Sequence, residues 1–123
     1  MQCINLLLQT LIISPHQSST ALVDGLAGNI FYMSTQMYGN HILQKCLQLG
    51  SVRNASFLIY ELSPHIFYLL THRYGNYVLQ RMLNRLRLMN PQHFRSLSSQ
   101  ILSRKPQLQH NSSAQHVFFE CQA

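Results

Sequence analysis

Two short stretches of the chain set carboxamides one helical turn apart with a ring beside them: Asn40, His41 and Gln44 in "NHILQ", and Asn76, Tyr77 and Gln80 in "NYVLQ". A carboxamide carries a donor and an acceptor on one small plane. A Gln can therefore pair with the N3–H and O4 of a uracil while the neighbouring Asn donates to O2. His41 and Tyr77 offer flat surfaces on which a base can stack, and such stacking contributes about 1–3 kcal/mol per base. One turn beyond the rings stand Lys45 and Arg81, cations able to meet a phosphate or lie against a base. This is recognition chemistry, in which no covalent bond is made or broken.

Other chemistries are poorly supplied. The three acids, Asp24, Glu61 and Glu120, are far apart in the chain, and no phosphate-binding loop or nucleophile motif is present. His41/Cys46, His65/His72 and His110/His116/Cys121 are the nearest groupings of metal-ligating types, and none has the spacing of a zinc site. No catalysis, metal or cofactor is expected.

Nine Lys and Arg against three acids leave a formal charge of +6, which favours polyanionic partners. A chain of 123 residues that is 46% hydrophobic can bury a core, and disorder is not expected. Cys3, Cys46 and Cys121 are odd in number and widely separated, which fits a reducing compartment, the cytoplasm, better than a disulfide framework. The opening "MQCINLLLQTLIIS" has no basic region before its apolar run and no small-residue cleavage pattern. It is also shorter than the roughly 20 residues that a membrane helix needs, so neither a signal peptide nor a membrane association is expected.

The amide stretches belong to a longer repetition. Shifting the chain by 36 places residues 21–48 over 57–84 with twelve of 28 positions identical, including Tyr38/Tyr74, Gly39/Gly75, Asn40/Asn76, Leu43/Leu79 and Gln44/Gln80. A period of this size marks a solenoid, in which one unit stacks on its copy because neither can bury its apolar face alone. Two weaker copies flank the pair. "NLLLQTLI" from Asn5 keeps the Asn and Gln9, with Leu6 in the ring position, and "AQHVFFEC" from Ala114 puts Gln115, His116 and Phe119 in the three slots.

Apolar spacing predicts helices over Ser19–Leu26 and Ala55–Leu62, then a short turn at Ile30–Met33 or Ile66–Leu70. The amide stretch then opens a further helix, with Ile42, Leu43, Cys46 and Leu47, or Val78, Leu79, Met82 and Leu83, or Leu7, Leu8, Leu11 and Ile12, on its core side. Asn40, Gln44, Asn76 and Gln80 are expected on the opposite, open side. Gly39 and Gly75 are expected where helices approach closely, and Tyr38 and Tyr74 are expected to pack across the junction between units. Asn90-Pro91 starts another helix carrying Phe94, Leu97, Ile101 and Leu102. Pro106 and the polar run after it predict an irregular third unit with a mobile loop.

"YGNHILQKCL" and "YGNYVLQRML" resemble the last helix of Pumilio (PUF) repeats, a family whose three-helix units stack into a crescent and bind single-stranded RNA, one base per repeat. The resemblance implies an all-α, right-handed α-solenoid of armadillo-like character. Its expected divisions are a partial repeat at 1–15, repeats at 16–50 and 51–88, and a degenerate, truncated repeat at 89–123. In the family the first and fifth positions of the stretch bond a base edge and the second stacks, with Asn and Gln together selecting uracil. Asn40 with Gln44 and Asn76 with Gln80 would then read uracils, with His41 and Tyr77 stacking. Asn5 with Gln9 would read a third. Gln115 and His116 could touch a base that Phe119 cannot pair with. RNA runs antiparallel to the protein in this family, so the unit of Asn76 takes the base 5′ of the one taken by the unit of Asn40.

The role implied by the resemblance is recognition of messenger RNA through 3′ untranslated elements, with control of translation and stability and with repressor proteins as further partners. Leu7, Leu8 and Leu11 at one end and Val117, Phe118 and Phe119 at the other are expected to need a covering neighbour, as in a longer array. Two rival readings use the same helices. One is a protein-interaction scaffold with weak or lost RNA binding, and the other a relative that binds structured RNA through charge in ribosome assembly.

Overall fold

The computed structural model describes residues 29–122, all of whose regular elements are helical. In chain order these are α1 (Ile30–Ser34), α2 (Gly39–Leu49), α3 (Val52–Leu62), a 3-10 turn (Ser63–His65), α4 (Ile66–Thr71), α5 (Gly75–Met89), α6 (Pro91–Leu102), a second 3-10 turn (Lys105–Leu108) and α7 (Ser112–Glu120). The order short helix, long helix, long helix is thus written once as α1–α2–α3 and again as α4–α5–α6. The expected helix beginning at Ser19 and the stretch with Asn5, Gln9, Leu7, Leu8, Leu11 and Ile12 lie outside the described residues.

Helix ends follow local chemistry. Ser51 Oγ accepts from Asn54 N at 3.1 Å at the start of α3, and Asn90 Oδ1 accepts from His93 N at 3.1 Å at the start of α6. Each satisfies an amide that the helix itself cannot. Pro91 occupies the first turn of α6, where its missing N–H costs nothing. Of the predicted core side chains, Leu43, Cys46, Leu47, Val78, Leu79, Met82 and Leu83 are fully buried, joined by Leu58 and Leu62 of α3 and Leu69 and Leu70 of α4.

The helices pack in two rows. α2 lies against α5, and α5 against α7, while α3 and α6 lie behind them. The second row is more open: a groove of about 410 Å³ between α3 and α6 is lined by Val52, Ile59, Tyr60, Leu86, Met89 and His93 among others. Gly39 sits where α2 turns back over α1. A Cβ there would stand 2.6 Å from the carbonyl oxygen of Met33, which is the close approach expected of it. Tyr38 departs from expectation, since it is 64% exposed. Tyr74 is half-buried beside His72, with the Arg73 guanidinium 4.6 Å over its ring.

The third unit is more regular than its sequence predicts. Pro106 lies in the first turn of the Lys105–Leu108 3-10 helix, again where an amide hydrogen is dispensable. Asn111 Oδ1 then accepts from Ala114 N at 2.8 Å and starts α7. Val117 and Phe118 are buried rather than uncovered, because α7 packs on α5 and α4; only Phe119 of that trio is exposed, at 71%. Leu102 is half-buried, at the edge of the core its neighbours Leu97 and Ile101 occupy.

Candidate nucleic-acid interface

The repeated stretches open α2 and α5, whose long axes are neighbours in the first row. Each is preceded by a tight turn that folds the chain back on itself. In the second unit His72 shapes this turn: its Nδ1 accepts from Tyr74 N and Gly75 N, both at 3.0 Å. Burial, and secondarily the positive charge of Arg73, hold the His72 pKa below the ordinary histidine value, consistent with a ring that must stay neutral to accept.

Asn40 and Asn76 differ from expectation. They are 1% and 2% exposed rather than open to solvent. Asn40 Nδ2 donates to Gln36 O at 2.7 Å and to Met37 O at 2.8 Å. Asn76 Nδ2 does the same to His72 O at 2.8 Å and Arg73 O at 2.9 Å. The physical reason is that both carbonyls of the turn point into the first turn of the helix, and a buried carbonyl without a donor is costly. Two oxygens facing one amide leave no choice about its orientation: nitrogen goes to the turn and Oδ1 to the helix side.

That Oδ1 has a partner in each unit. Gln44 Nε2 donates to Asn40 Oδ1 at 2.9 Å, and Gln80 Nε2 to Asn76 Oδ1 at 3.0 Å. Gln44 and Gln80 are half-buried, so each keeps Oε1 and one N–H outside the pair. His41 and Lys45 flank the first as exposed side chains, and Tyr77 and Arg81 flank the second, Tyr77 being 45% exposed. Each unit therefore brings together a ring, a restrained carboxamide and a cation on one helix.

The third unit keeps part of this arrangement. Gln115 is exposed but its Nε2 also donates to two turn carbonyls, Leu108 O at 3.2 Å and Gln109 O at 2.9 Å. It thus stands in for the Asn of the other units, its longer side chain reaching further back along the chain. His116 is exposed beside it, while Phe119 offers no amide in the slot of Gln44 and Gln80. Asn5 and Gln9 lie outside the described residues.

Two arginines that the sequence reading passed over hold the units together. Arg85, near the end of α5, donates to Leu47 O and Gln48 O at 3.1 Å and to Gly50 O at 2.9 Å, closing the carbonyl end of α2. Arg87 donates to Glu120 O at 2.6 Å and Gln122 O at 3.1 Å at the end of α7, and its guanidinium lies 4.6 Å over the Phe94 ring. A basic residue among apolar neighbours near a helix end was the available signal, though not its target. A second missed feature is the stack of Phe31 on His65, with centroids 3.9 Å apart, which links α1 to the turn before α4.

Among the described residues no group of three His, Cys, Asp or Glu side chains is assembled to hold a metal ion, and no helix is long and apolar enough to cross a membrane. No curated protein matches the chain. The Pumilio-family RNA binding repeat matches residues 29–63 and 65–87, segments that take in the short helices α1 and α4 and the amide-bearing helices α2 and α5 up to Arg87. With an Asn–Gln amide pair, a ring and a cation repeated at the same positions of both matched segments, residues 29–87 form a partial array of Pumilio-family RNA-binding repeats.

Proposed function

We propose that this chain binds single-stranded RNA in a sequence-selective way, with a preference for uridine, and acts on messenger RNA through 3′ untranslated elements to control translation and stability in the cytoplasm. In this reading the units stack as a right-handed solenoid. Gln44 and Gln80 each address the edge of one uracil, His41 and Tyr77 stack on the bases, and Lys45 and Arg81 meet the backbone or a base face. The α5 unit takes the base 5′ of the one taken by the α2 unit, and His116 adds a weaker, non-selective contact. Repressor proteins are the further partners the family implies.

The observation that carries this reading is the duplicated geometry of α2 and α5. Each has a half-buried Gln tied by its amide nitrogen to the Asn one turn earlier, with an exposed ring and an exposed cation beside it. Solvated helix positions are under no pressure to reproduce a hydrogen-bonded pair of this kind. A surface that presents unpaired donors and acceptors beside rings matches unstacked bases, the way single-stranded RNA is recognised.

Binding of short oligonucleotides at physiological salt tests it. Uridine-rich strands are expected to bind more tightly than adenine-rich ones. Replacing Asn40 with Ser and Gln44 with Glu is expected to redirect that site to guanine, because a carboxylate only accepts and guanine presents N1–H and N2–H side by side. Indifference to both changes would support a protein-interaction scaffold. A steep salt dependence with no base preference would support binding through charge alone.

A further inference from the structure

The short helices carry a second repetition that the amide-bearing helices do not use. Phe31-Tyr32 of α1 returns as Phe67-Tyr68 of α4, and Tyr38 returns as Tyr74, at the same interval of 36 as the amides. Tyr32, Tyr38 and Tyr68 are 64%, 64% and 58% exposed, and Phe67 is 40% exposed. A phenol left mostly in water contributes little to a core, so packing does not account for its presence in both units.

The rings form a connected run. Phe31 stacks on His65 with centroids 3.9 Å apart and meets Tyr68 edge-on at 5.2 Å. Tyr68 stacks on His72 at 5.7 Å, and His72 lies 5.9 Å from Tyr74. Cations accompany them. The Arg73 guanidinium stands 4.6 Å over the Tyr74 ring, and that of Arg104 stands 4.0 Å over Phe67, beside a hollow of about 260 Å³ to which Thr71 and Gln107 add polar groups. The stretches that supply these side chains, 29–41, 65–77 and 101–110, contain no Asp or Glu.

Exposed rings among cations, with no acid in the same stretches, fit single-stranded nucleic acid. Phosphates meet the charge, and any base can stack, because every base has a π-face. An acidic peptide would use the cations and leave the tyrosine faces unfilled. We infer that the edge formed by α1, α4 and the turns after them is a second RNA surface, separate from the amides of α2 and α5, that holds single strands by stacking and charge without regard to base.

The full chain is titrated with a uridine octamer and an adenosine octamer at fixed salt, as wild type and as the double variant Tyr68→Ser/Arg73→Ser. Both replaced side chains are exposed, and retained helicity is checked. Affinity for the adenosine octamer is expected to fall about 5- to 150-fold in the variant, the loss of one stacked base. Preference for uridine over adenosine is expected to rise, because the indifferent surface is the one removed. An unchanged adenosine affinity, or a wild type that binds the uridine octamer and leaves the adenosine octamer unbound, overturns the edge and leaves the amide reading intact. Adenosine binding that is lost in the variant, with no uridine preference in the wild type, upholds the edge and overturns the amide reading. A wild type that binds neither octamer overturns both. Polyglutamate bound as tightly as the adenosine octamer, and released by the same variant, assigns the edge to acidic proteins and overturns the inference too. Should the variant not fold, an octamer carrying 8-azidoadenosine is photo-crosslinked to the wild type. Adducts on Tyr32, Tyr38 or Tyr68 support the edge, and adducts confined to α2, α5 and α7 overturn it.

Discussion

Tyr77 and His41 occupy the same register position on neighbouring helices, but they are not equivalent platforms. Tyr77 is 45% exposed and presents a larger ring than an imidazole, so more of a base can lie against it. Tyr77→Ala is expected to weaken binding of a uridine-rich strand by about 1–3 kcal/mol, with His41→Ala costing less, measured by fluorescence anisotropy at fixed salt. Negligible losses in both would remove stacking from the account. The cysteines have a different character. Burial pushes the Cys46 thiol up to about 12 and that of Cys121 up to about 11, so both remain neutral core groups at physiological pH, without the thiolate that thiol chemistry requires.

At the scale of the element, the turn before each reading helix matters most. In the first unit the turn depends on Gly39, since a methyl group there would meet the Met33 carbonyl. In the second, the imidazole of His72 holds two backbone amides, a task that protonation abolishes. Because the folded state lowers the His72 pKa, its stabilising contribution is complete above the unfolded value of about 6.5. It is lost as pH falls through the lower folded value, since the unfolded chain then binds more protons than the native one. Thermal melts between neutral and mildly acid pH should therefore show a fall in midpoint that is shallower in His72→Gln, a variant that places in this turn the residue found at position 36. Parallel curves would show that the imidazole contributes nothing to the pH dependence.

Across the whole molecule, cohesion comes from the continuous core of the first row and from arginines that bridge units. Arg85 satisfies three carbonyls at the end of α2 from a position 35 to 38 residues later in the chain. Its planar fork suits several acceptors at once, which the point charge of a lysine does not. Arg85→Ala is expected to cost about 1.5–3 kcal/mol of stability, the range for a hydrogen bond to a charged group, with little recovery in Arg85→Lys. Urea denaturation reads both, and an unchanged midpoint in Arg85→Ala would mean that α2 and α5 are joined by their apolar contacts alone. The open groove between α3 and α6 is lined also by Leu86 and Met89, at the end of α5 opposite its amides.

The sequence by itself determined α2, α3, α5 and α6, their period and the apolar side of each. Leu43, Cys46 and Leu47, like Leu79, Met82 and Leu83, recur at helical spacing, and burial of such a stripe is a local consequence of 3.6 residues per turn. The repeated amides, rings and cations were legible for the same reason, being written twice at a constant interval. Only the tertiary structure decided what the amides do. Whether Asn40 faces solvent or a turn depends on where the carbonyls of Gln36 and Met37 point once the chain has folded back over α1, and no side-chain pattern encodes that direction. The targets of Arg85 and Arg87, and the burial of Val117 and Phe118 against α5 and α4, were hidden likewise, because they join segments more than thirty residues apart and exist only after the units have stacked.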